Sequence, residues 1–506
     1  MTEAQEGVKQ KNPWHRPVIL LIAFLMVIGI VALVAIAVVQ NKQLPQKLKY
    51  GIVLDAGSSH TALYIYQWPA EKQNDTGKVQ QLEACKVEGP GISSYSKEVT
   101  KAGLALNQCL DKAKEIIPEH QHTETPLYLG ATAGMRLLRL QDEQQSQRLL
   151  NSVEKFIRLY PFNFQGARII RGQEEGGYGW ITINYLLGNF LKDSGWITQL
   201  SGGKDTETFG ALDLGGASTQ ITFVPEGDVE PEESTLYFRL YGTSYTVYTH
   251  SFLCYGKDQA LKLLLAQRKE SVSGTITSPC FNKEYTRNLN VTAFYNTPCI
   301  LGLPNTTQDI IKVIGEGNAE ECRKHVRALF SSTDYTLTSC PFNCVYQPQV
   351  QGEFVAFSAF YFVMNFLNLT GKEPLKQMKD TIDNFCARSW NEVKDNFPKT
   401  RVKYLSEYCF SANYILILLT EGYNFTSDNL NKIQFMRKIK GNDAGWTLGY
   451  MLNLTNMIPA ELPSPRSLTH TSYVTLMVIF SLFLLILLLL TLLNSRGLLC
   501  RAQKGI

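Results

Sequence analysis

Apolar and polar positions fall into three patterns along the 506-residue chain. At each end lies an uncharged apolar run, Val18 to Val39 and Tyr473 to Leu493. Each reaches the roughly 20 residues that cross a bilayer core of about 30 Å at about 1.5 Å per residue, so both predict membrane-spanning helices. The first is longer than the roughly 7 to 15 apolar residues of a cleaved signal peptide. Between the ends, short β-branched runs stop at glycine-rich turns. Tyr50 to Leu54 reads as a buried strand, followed by Asp55-Ala56-Gly57-Ser58-Ser59-His60 and a second strand, Thr61 to Tyr66. Leu127 to Leu129 feeds Gly130-Ala131-Thr132-Ala133-Gly134, and then a helix running to about residue 157. Ala167 to Ile170 precedes Gly172-Gln173-Glu174-Glu175-Gly176 and another helical stretch. Strands alternating with helices predict an α/β fold.

The first pattern returns near Ala211, where GALDLGGASTQITFV repeats the logic of GIVLDAGSSHTALYI and Asp213 stands for Asp55. A repeated strand-turn-strand unit implies two similar lobes, in keeping with a length at which a single core would be exceptional. Residues 225 to 350 are rich in turns and cysteines and suggest decoration of the second lobe rather than another core. Phe354 to Leu367 reads as a long helix, with further helix to about Trp390 and near Tyr414 to Thr420. The tail from Asp443 to Gly449 should rejoin the first lobe, because both spans leave from the membrane side. The expected boundaries are lobe one at 50–171, resumed at 438–465, and lobe two at 172–437.

Composition locates the region between the spans. Hydrophobic content of 44% and charged content of 19% mark a folded chain, and the net charge of +4 leaves no footprint for a nucleic-acid polymer. N-x-S/T acceptors stand at Asn74, Asn290, Asn305, Asn368, Asn424 and Asn453, all between the spans. Ten of the eleven cysteines share that region: Cys85, Cys109, Cys254, Cys280, Cys299, Cys322, Cys340, Cys344, Cys386 and Cys409. An even number in a luminal setting predicts five disulfides, and spacing alone does not choose their pairing. The region between the spans is therefore expected on the luminal or extracellular side, with both tails cytosolic. Cys500, beyond the second span, is then a cytosolic thiol and a palmitoylation candidate. Small residues in VIGIVALVAIA would let spans pack closely, a route to a homo-oligomer through the lipid bilayer.

The turns carry the candidate chemistry. Glycine turns after buried strands let backbone amides approach a phosphate, and the hydroxyls beside them add donors. Neither Gly57-Ser58-Ser59-His60 nor Gly215-Gly216-Ala217-Ser218 matches a Walker loop or a dinucleotide fingerprint. Asp55 and Asp213 end their strands just before these turns, where a carboxylate is costly to hold unless it is solvated or engaged with a cation. Two facing aspartates suit a hydrated magnesium ion. Glu174 and Glu175 lie at a loop-to-helix junction. Being adjacent they point different ways, so one is expected to face the cleft and the other to pair or cap.

DAGSSHT at 55–61, GATAGMR at 130–136, GQEEGGYGW at 172–180, DLGGAST at 213–219 and GEFVAFSAFYF at 352–362 together resemble, in order, the five apyrase conserved regions of the ecto-nucleoside triphosphate diphosphohydrolases. The two terminal spans fit the cell-surface branch of that family. The resemblance implies paired ribonuclease-H-like lobes of the actin and sugar-kinase superfamily, flanked by two transmembrane helices. It implies hydrolysis of extracellular ATP and ADP with Ca2+ or Mg2+, with Glu175 activating the water and Asp55 and Asp213 holding the metal through water. Ser58, Ser59, His60, Thr132, Gly215, Gly216, Ala217, Ser218 and Gln220 would bind phosphate or place the metal and nucleophile. Tyr361 or Phe362 would stack the base against Tyr408, with Lys257 where relatives carry arginine. The implied disulfides are Cys85–Cys109, Cys254–Cys299, Cys280–Cys322, Cys340–Cys344 and Cys386–Cys409.

Overall fold

The computed structural model describes residues 15–41, 47–70, 76–190, 208–227, 232–267, 274–300, 309–330, 342, 345–456 and 468–503. Asn74, Asn305, Cys340 and Cys344 lie outside the described residues, as does the side chain of Cys500. The chain divides into two units, the terminal segments and residues 48–460.

In the terminal unit, helices His15–Asn41 and His470–Gln503 each contain a stretch long and apolar enough to cross a membrane, Pro17–Gln40 and His470–Leu493. Most of their apolar side chains face outward, as lipid-facing chains would. The helices touch where a small residue permits it, for a Cβ at Gly29 would lie 2.7 Å from a Leu484 methyl.

The central unit is built on two mixed sheets. Strands β1 (Leu48–Ala56), β2 (Thr61–Pro69), β3 (Gln80–Lys86), β4 (Pro126–Ala131) and β5 (Asn163–Ile169) form the first, in the order β3-β2-β1-β4-β5. β1 runs antiparallel to β2 and parallel to β4. In the second sheet are β6 (Gly210–Leu214), β7 (Ser218–Phe223), β8 (Thr235–Leu240) and β9 (Thr243–Leu253). Strands β10 (Thr275–Ser278), β11 (Thr286–Asn290) and β12 (Ile310–Gly315) form a separate three-stranded sheet. β13 (Phe354–Ser358) and β14 (Ile433–Phe435) complete the second, whose order is β14-β13-β6-β7-β9-β8. β6 is antiparallel to β7 and parallel to β13, as β1 is to β2 and β4. The duplication read in the sequence is thus a duplication of topology, with β8 as an added edge.

Three sequence expectations give way. The run from Phe354 is not one helix but strand β13 followed by helix Ala359–Phe366. Paired on both sides and buried on both faces, a central parallel strand needs no polar alternation, so its apolar run mimics a buried helix. Ser358, at φ 55°, makes the turn between the two. The helix expected through residue 157 is two, Ala133–Gln141 and Glu143–Ile157, because Asp142 accepts from the Gln145 amide at 2.8 Å and caps the second. Residues 225–350 also supply core: Phe281, Val313 and Val326 are fully buried in the cluster under the second sheet. Their apolar positions are spread over short strands and turns, which hid the periodicity.

Helices Gly172–Leu187 and Trp446–Thr455 pack on each other in a cluster that also takes Val53 and Tyr66 from the first sheet and Ala211, Val355 and Phe357 from the second. The tail does return toward the first sheet. Gln81 donates to Asp443 at 2.9 Å, and Thr76 to Asn456 at 3.0 Å. Among the described residues four disulfides join Cys85–Cys109, Cys254–Cys299, Cys280–Cys322 and Cys386–Cys409. Asn290, Asn368 and Asn424 are exposed, whereas Asn453 is half-buried in its helix.

Candidate active site

The topology brings the two glycine turns together. Asp55 and Asp213 occupy matching register positions, Asp55 opposite Ala62 across the first hairpin and Asp213 opposite Gln220 across the second. A Cβ at Gly216 would lie 2.9 Å from Ser58 Oγ and 2.8 Å from a carboxylate oxygen of Asp258. Only glycine lets these turns approach so closely.

Helix Lys257–Ala266 fixes the second turn. Lys257 N–H donates to Gly215 O at 2.9 Å, and the amides of Asp258 and Gln259 donate to Gly216 O at 2.9 and 3.1 Å. The helix's otherwise unpaired N-terminal amides are thus used on the turn's carbonyls. The amides of Gly216 and Ala217 have no protein acceptor among the described residues, which leaves them for an anion. Gly256, just before the helix, must lack a side chain as well, since a Cβ there would lie 2.3 Å from the Ala217 and Ser218 amide nitrogens. In the first turn, Ser59 Oγ lies 3.1 Å from His60 Nδ1, and both residues are exposed.

Glu174 and Glu175 begin helix Gly172–Leu187 and point apart, as adjacent residues must. Glu174 Oε2 accepts from the Arg171 amide at 2.9 Å while Oε1 meets Arg168 at 3.1 Å, so it caps. Glu175 turns inward and is buried. Its Oε2 accepts from Arg136 Nη2 at 2.5 Å and from Gln220 Nε2 at 3.4 Å. Among the described residues Oε1 accepts from none. Arg136 also donates to Ser218 Oγ at 3.1 Å, and Gln220 to Ser218 at 2.8 Å and to Ser251 at 2.9 Å. Thr132 stands one helical turn before Arg136, and its amide donates to Ala56 O at 3.1 Å, next to Asp55. Glu175, Ser218, Gln220, Arg136 and Thr132 therefore line one interior.

Three acidic groups share that interior. Burial, then the neighbouring Glu175 charge, pushes the Asp55 carboxyl up to about 8, with Asp213 adding to the rise and the nearby Trp446 indole opposing it. Asp213 is pushed up to about 7, again by burial and Glu175, while Ser358 and Arg136 pull the other way. Burial raises Glu175 too, and Arg136 offsets part of that rise. Among the described residues Asp55 Oδ1 and the Trp446 indole N–H are buried without a well-formed hydrogen bond, although the indole lies close enough to favour the ionised carboxylate. An orphaned carboxylate oxygen beside two further acids is a poor resting state, and one that a divalent cation would relieve. No group of three side chains at ligating distance occurs among the described residues. A cation there would keep much of its water.

The residues expected at the base are less gathered. Tyr408 stacks on Phe366, with centroids 4.1 Å apart and planes 21° off parallel. Tyr361 and Phe362 meet edge to face at 5.5 Å, and Phe362 is 50% exposed under the Arg437 guanidinium, 5.7 Å from its centroid. Lys257 Nζ is held by Asp258 and by Glu407 Oε2, the latter at 2.9 Å.

Sequence reasoning left Arg136, Trp446, Ser358 and Gly256 without a role. Arg136 carried a usable signal, because a residue four after the strand-end Thr132 shares its helical face. Trp446 carried none, since its nearness to Asp55 is set by the return of the tail.

The profile of the GDA1/CD39 (nucleoside phosphatase) family matches residues 41–468. The chain is 52% identical over 480 residues to ectonucleoside triphosphate diphosphohydrolase 1 of Mus musculus, covering 94% of each. It is 48% identical to ectonucleoside triphosphate diphosphohydrolase 8 of Rattus norvegicus over 86% of this chain and 88% of that one. A crystal structure of nucleoside triphosphate hydrolases from Neospora caninum superposes with a TM-score of 0.60 at 16% identity, over 82% of this chain and 93% of the other, a likeness of fold. Five ordered motifs, a duplicated sheet topology and this identity lead to one conclusion: the chain belongs to the GDA1/CD39 (nucleoside phosphatase) family.

Proposed function

We propose that the protein is an extracellular apyrase, hydrolysing nucleoside tri- and diphosphates such as ATP and ADP to the monophosphate and phosphate with a divalent cation. The observation that carries this reading is the meeting of Ser58 and Gly216 across the cleft, with Glu175 and the two strand-end aspartates in the same interior. The relatives' names, at about half identity over nearly the whole chain, support the substrate class.

In this reading the amides of Gly216 and Ala217, with Ser58, Ser59, His60 and Ser218, hold the polyphosphate. Asp55 and Asp213 would hold Ca2+ or Mg2+ through its waters, and such a cation, when bound, would supply neutralisation of charge on the phosphates. Arg136 favours the ionised form of Glu175 and orients it through Oε2, leaving Oε1 to accept a proton from water, with Gln220 and Thr132 placing that water. The water oxygen bonds to the terminal phosphorus in line with the bridging oxygen. As that P–O bond breaks, the electron pair leaves on the shortened nucleotide, so positioning and charge neutralisation carry the catalysis. Tyr408, with Tyr361 or Phe362, would stack on the base.

The same reading places lobe one at 50–171 and 438–465, lobe two at 172–437, the central region outside the plasma membrane and both tails in the cytosol. Four luminal-type disulfides support it, and a fifth between Cys340 and Cys344 is proposed with them. Glycans at the six sequons, a palmitoyl group on Cys500 and spans that pair in an oligomer complete the proposal. Intact cells displaying the protein should release phosphate from external ATP, and a membrane-impermeant chelator should stop it. Equal release with chelator, or none at all, would overturn the reading.

A further inference from the structure

Lys257 opens its helix at the end where the dipole disfavours a cation, yet it is nearly buried. What holds it is a charge cluster: Asp258 beside it, and Glu407, which is 5% exposed and also meets Arg287 at 3.4 Å. With both carboxylates on its ammonium, Lys257 is occupied within the protein. Its two ends, however, reach two different parts of the site. Its amide braces Gly215 of the second phosphate turn, and its side chain grips Glu407, the residue immediately before Tyr408. Tyr408 is half-buried with one face on Phe366, and Cys409 next to it is tied to Cys386. The phenol is near enough for the Lys257 charge to act on it.

We propose that the Lys257–Glu407 ion pair is a strut fixing Tyr408 relative to the phosphate turn, with Glu407 a positioning residue for recognition of the nucleobase. The proposal rests on the reading of Tyr408 as a base-stacking residue. A buried pair joining two elements transmits position better than a surface pair, because its geometry is not averaged by solvent. Removing the strut lets Tyr408 shift without touching the reacting atoms.

The test uses the full-length protein and two anions, ATP and inorganic tripolyphosphate, which has the phosphates and no base. Tripolyphosphate is followed as a substrate and as a competitive inhibitor of ATP hydrolysis. Glu407→Gln preserves shape and removes the charge. The strut predicts that KM for ATP rises about tenfold with kcat nearly unchanged, while the tripolyphosphate constants stay within about twofold. Lys257→Met should raise KM for ATP by a similar factor, and the double variant should cost no more than either single one. Equal losses on both anions, additive losses, or no change would overturn the proposal. A variant that misfolds would lose kcat and thermal stability together, and then the Lys257→Met result decides. If the wild-type protein handles the two anions alike, the base site itself is wrong; if it hydrolyses no nucleotide, the proposed function fails first.

Discussion

The turn after β6 is held by hydrogen bonds from its surroundings, whereas around the turn after β1 the described residues supply close packing in place of hydrogen bonds. Around Gly215–Ser218, a helix N-terminus takes two carbonyls, Arg136 and Gln220 take the Ser218 hydroxyl, and Asp213 has Ser358 and Arg136 to temper its charge. Around Gly57–His60, Gly91 and Gly134 pack close against the turn, and among the described residues the Ser59 hydroxyl meets His60 alone. Asp55 keeps an oxygen with no partner among the described residues. Similar sequences on a duplicated topology thus give one prearranged half and one half that a ligand must complete. Binding sites that close on their ligand often have this asymmetry, since a half-ordered site leaves room for entry.

The comparison breaks most visibly at the aspartates. Asp55→Asn and Asp213→Asn should each reduce phosphate release by on the order of 100-fold, the range found when groups that orient a metal are lost. Without cation, Asp55→Asn should also raise the unfolding temperature, and more than Asp213→Asn does, because a buried oxygen of Asp55 has no partner among the described residues while Asp213 has Ser358 beside it. A larger gain for Asp213→Asn in calorimetry would reverse the assignment of the unfinished half.

A pH titration sharpens the same point. Both carboxyls are raised in the folded state, so between their ordinary range near 4 and about 7 to 8 the folded protein holds protons that the unfolded chain has lost. Stability of the cation-free protein should therefore fall as pH rises through that window and level off above it. Binding of Ca2+ or Mg2+ should release about one to two protons near pH 6 and fewer near pH 8. Calorimetry in buffers of different ionisation heats measures this directly, and proton-neutral binding at pH 6 would contradict the electrostatic picture.

The smallest effects should separate the two turns themselves. Ser218→Ala removes the acceptor shared by Arg136 and Gln220, and should lower kcat/KM for ATP by about tenfold. Ser59→Ala removes an exposed hydroxyl and should lower it less than about threefold. Steady-state kinetics giving the opposite order would place the rigid half in the first hairpin.

Much of this was legible before any coordinates, and the rest was hidden for identifiable reasons. Strand-end aspartates and glycine turns are local signals, so Asp55, Asp213 and Gly216 could be singled out from their immediate neighbours. The division of labour between Glu174 and Glu175 followed from their adjacency, and the choice of Glu175 for the interior from the family resemblance. Strand β13 was misread because a strand buried on both faces loses the alternation that identifies it. Arg136, Trp446 and Glu407 act through contacts with residues far away in sequence, and no local pattern announces such a partner. The base residues rested on resemblance alone. The structure gathers Tyr408 with Phe366, leaving Phe362 exposed beneath Arg437.

The most direct test of the account is Glu175→Gln in the full-length protein, with phosphate release and nucleotide binding measured on the same preparation in the presence of Mg2+ or Ca2+. Glutamine keeps the size and the Arg136 contact but accepts no proton from water at neutral pH. The account predicts that phosphate release falls by at least about 1,000-fold while ATP affinity changes less than about threefold. Phosphate release close to the wild-type rate would remove Glu175 from the mechanism.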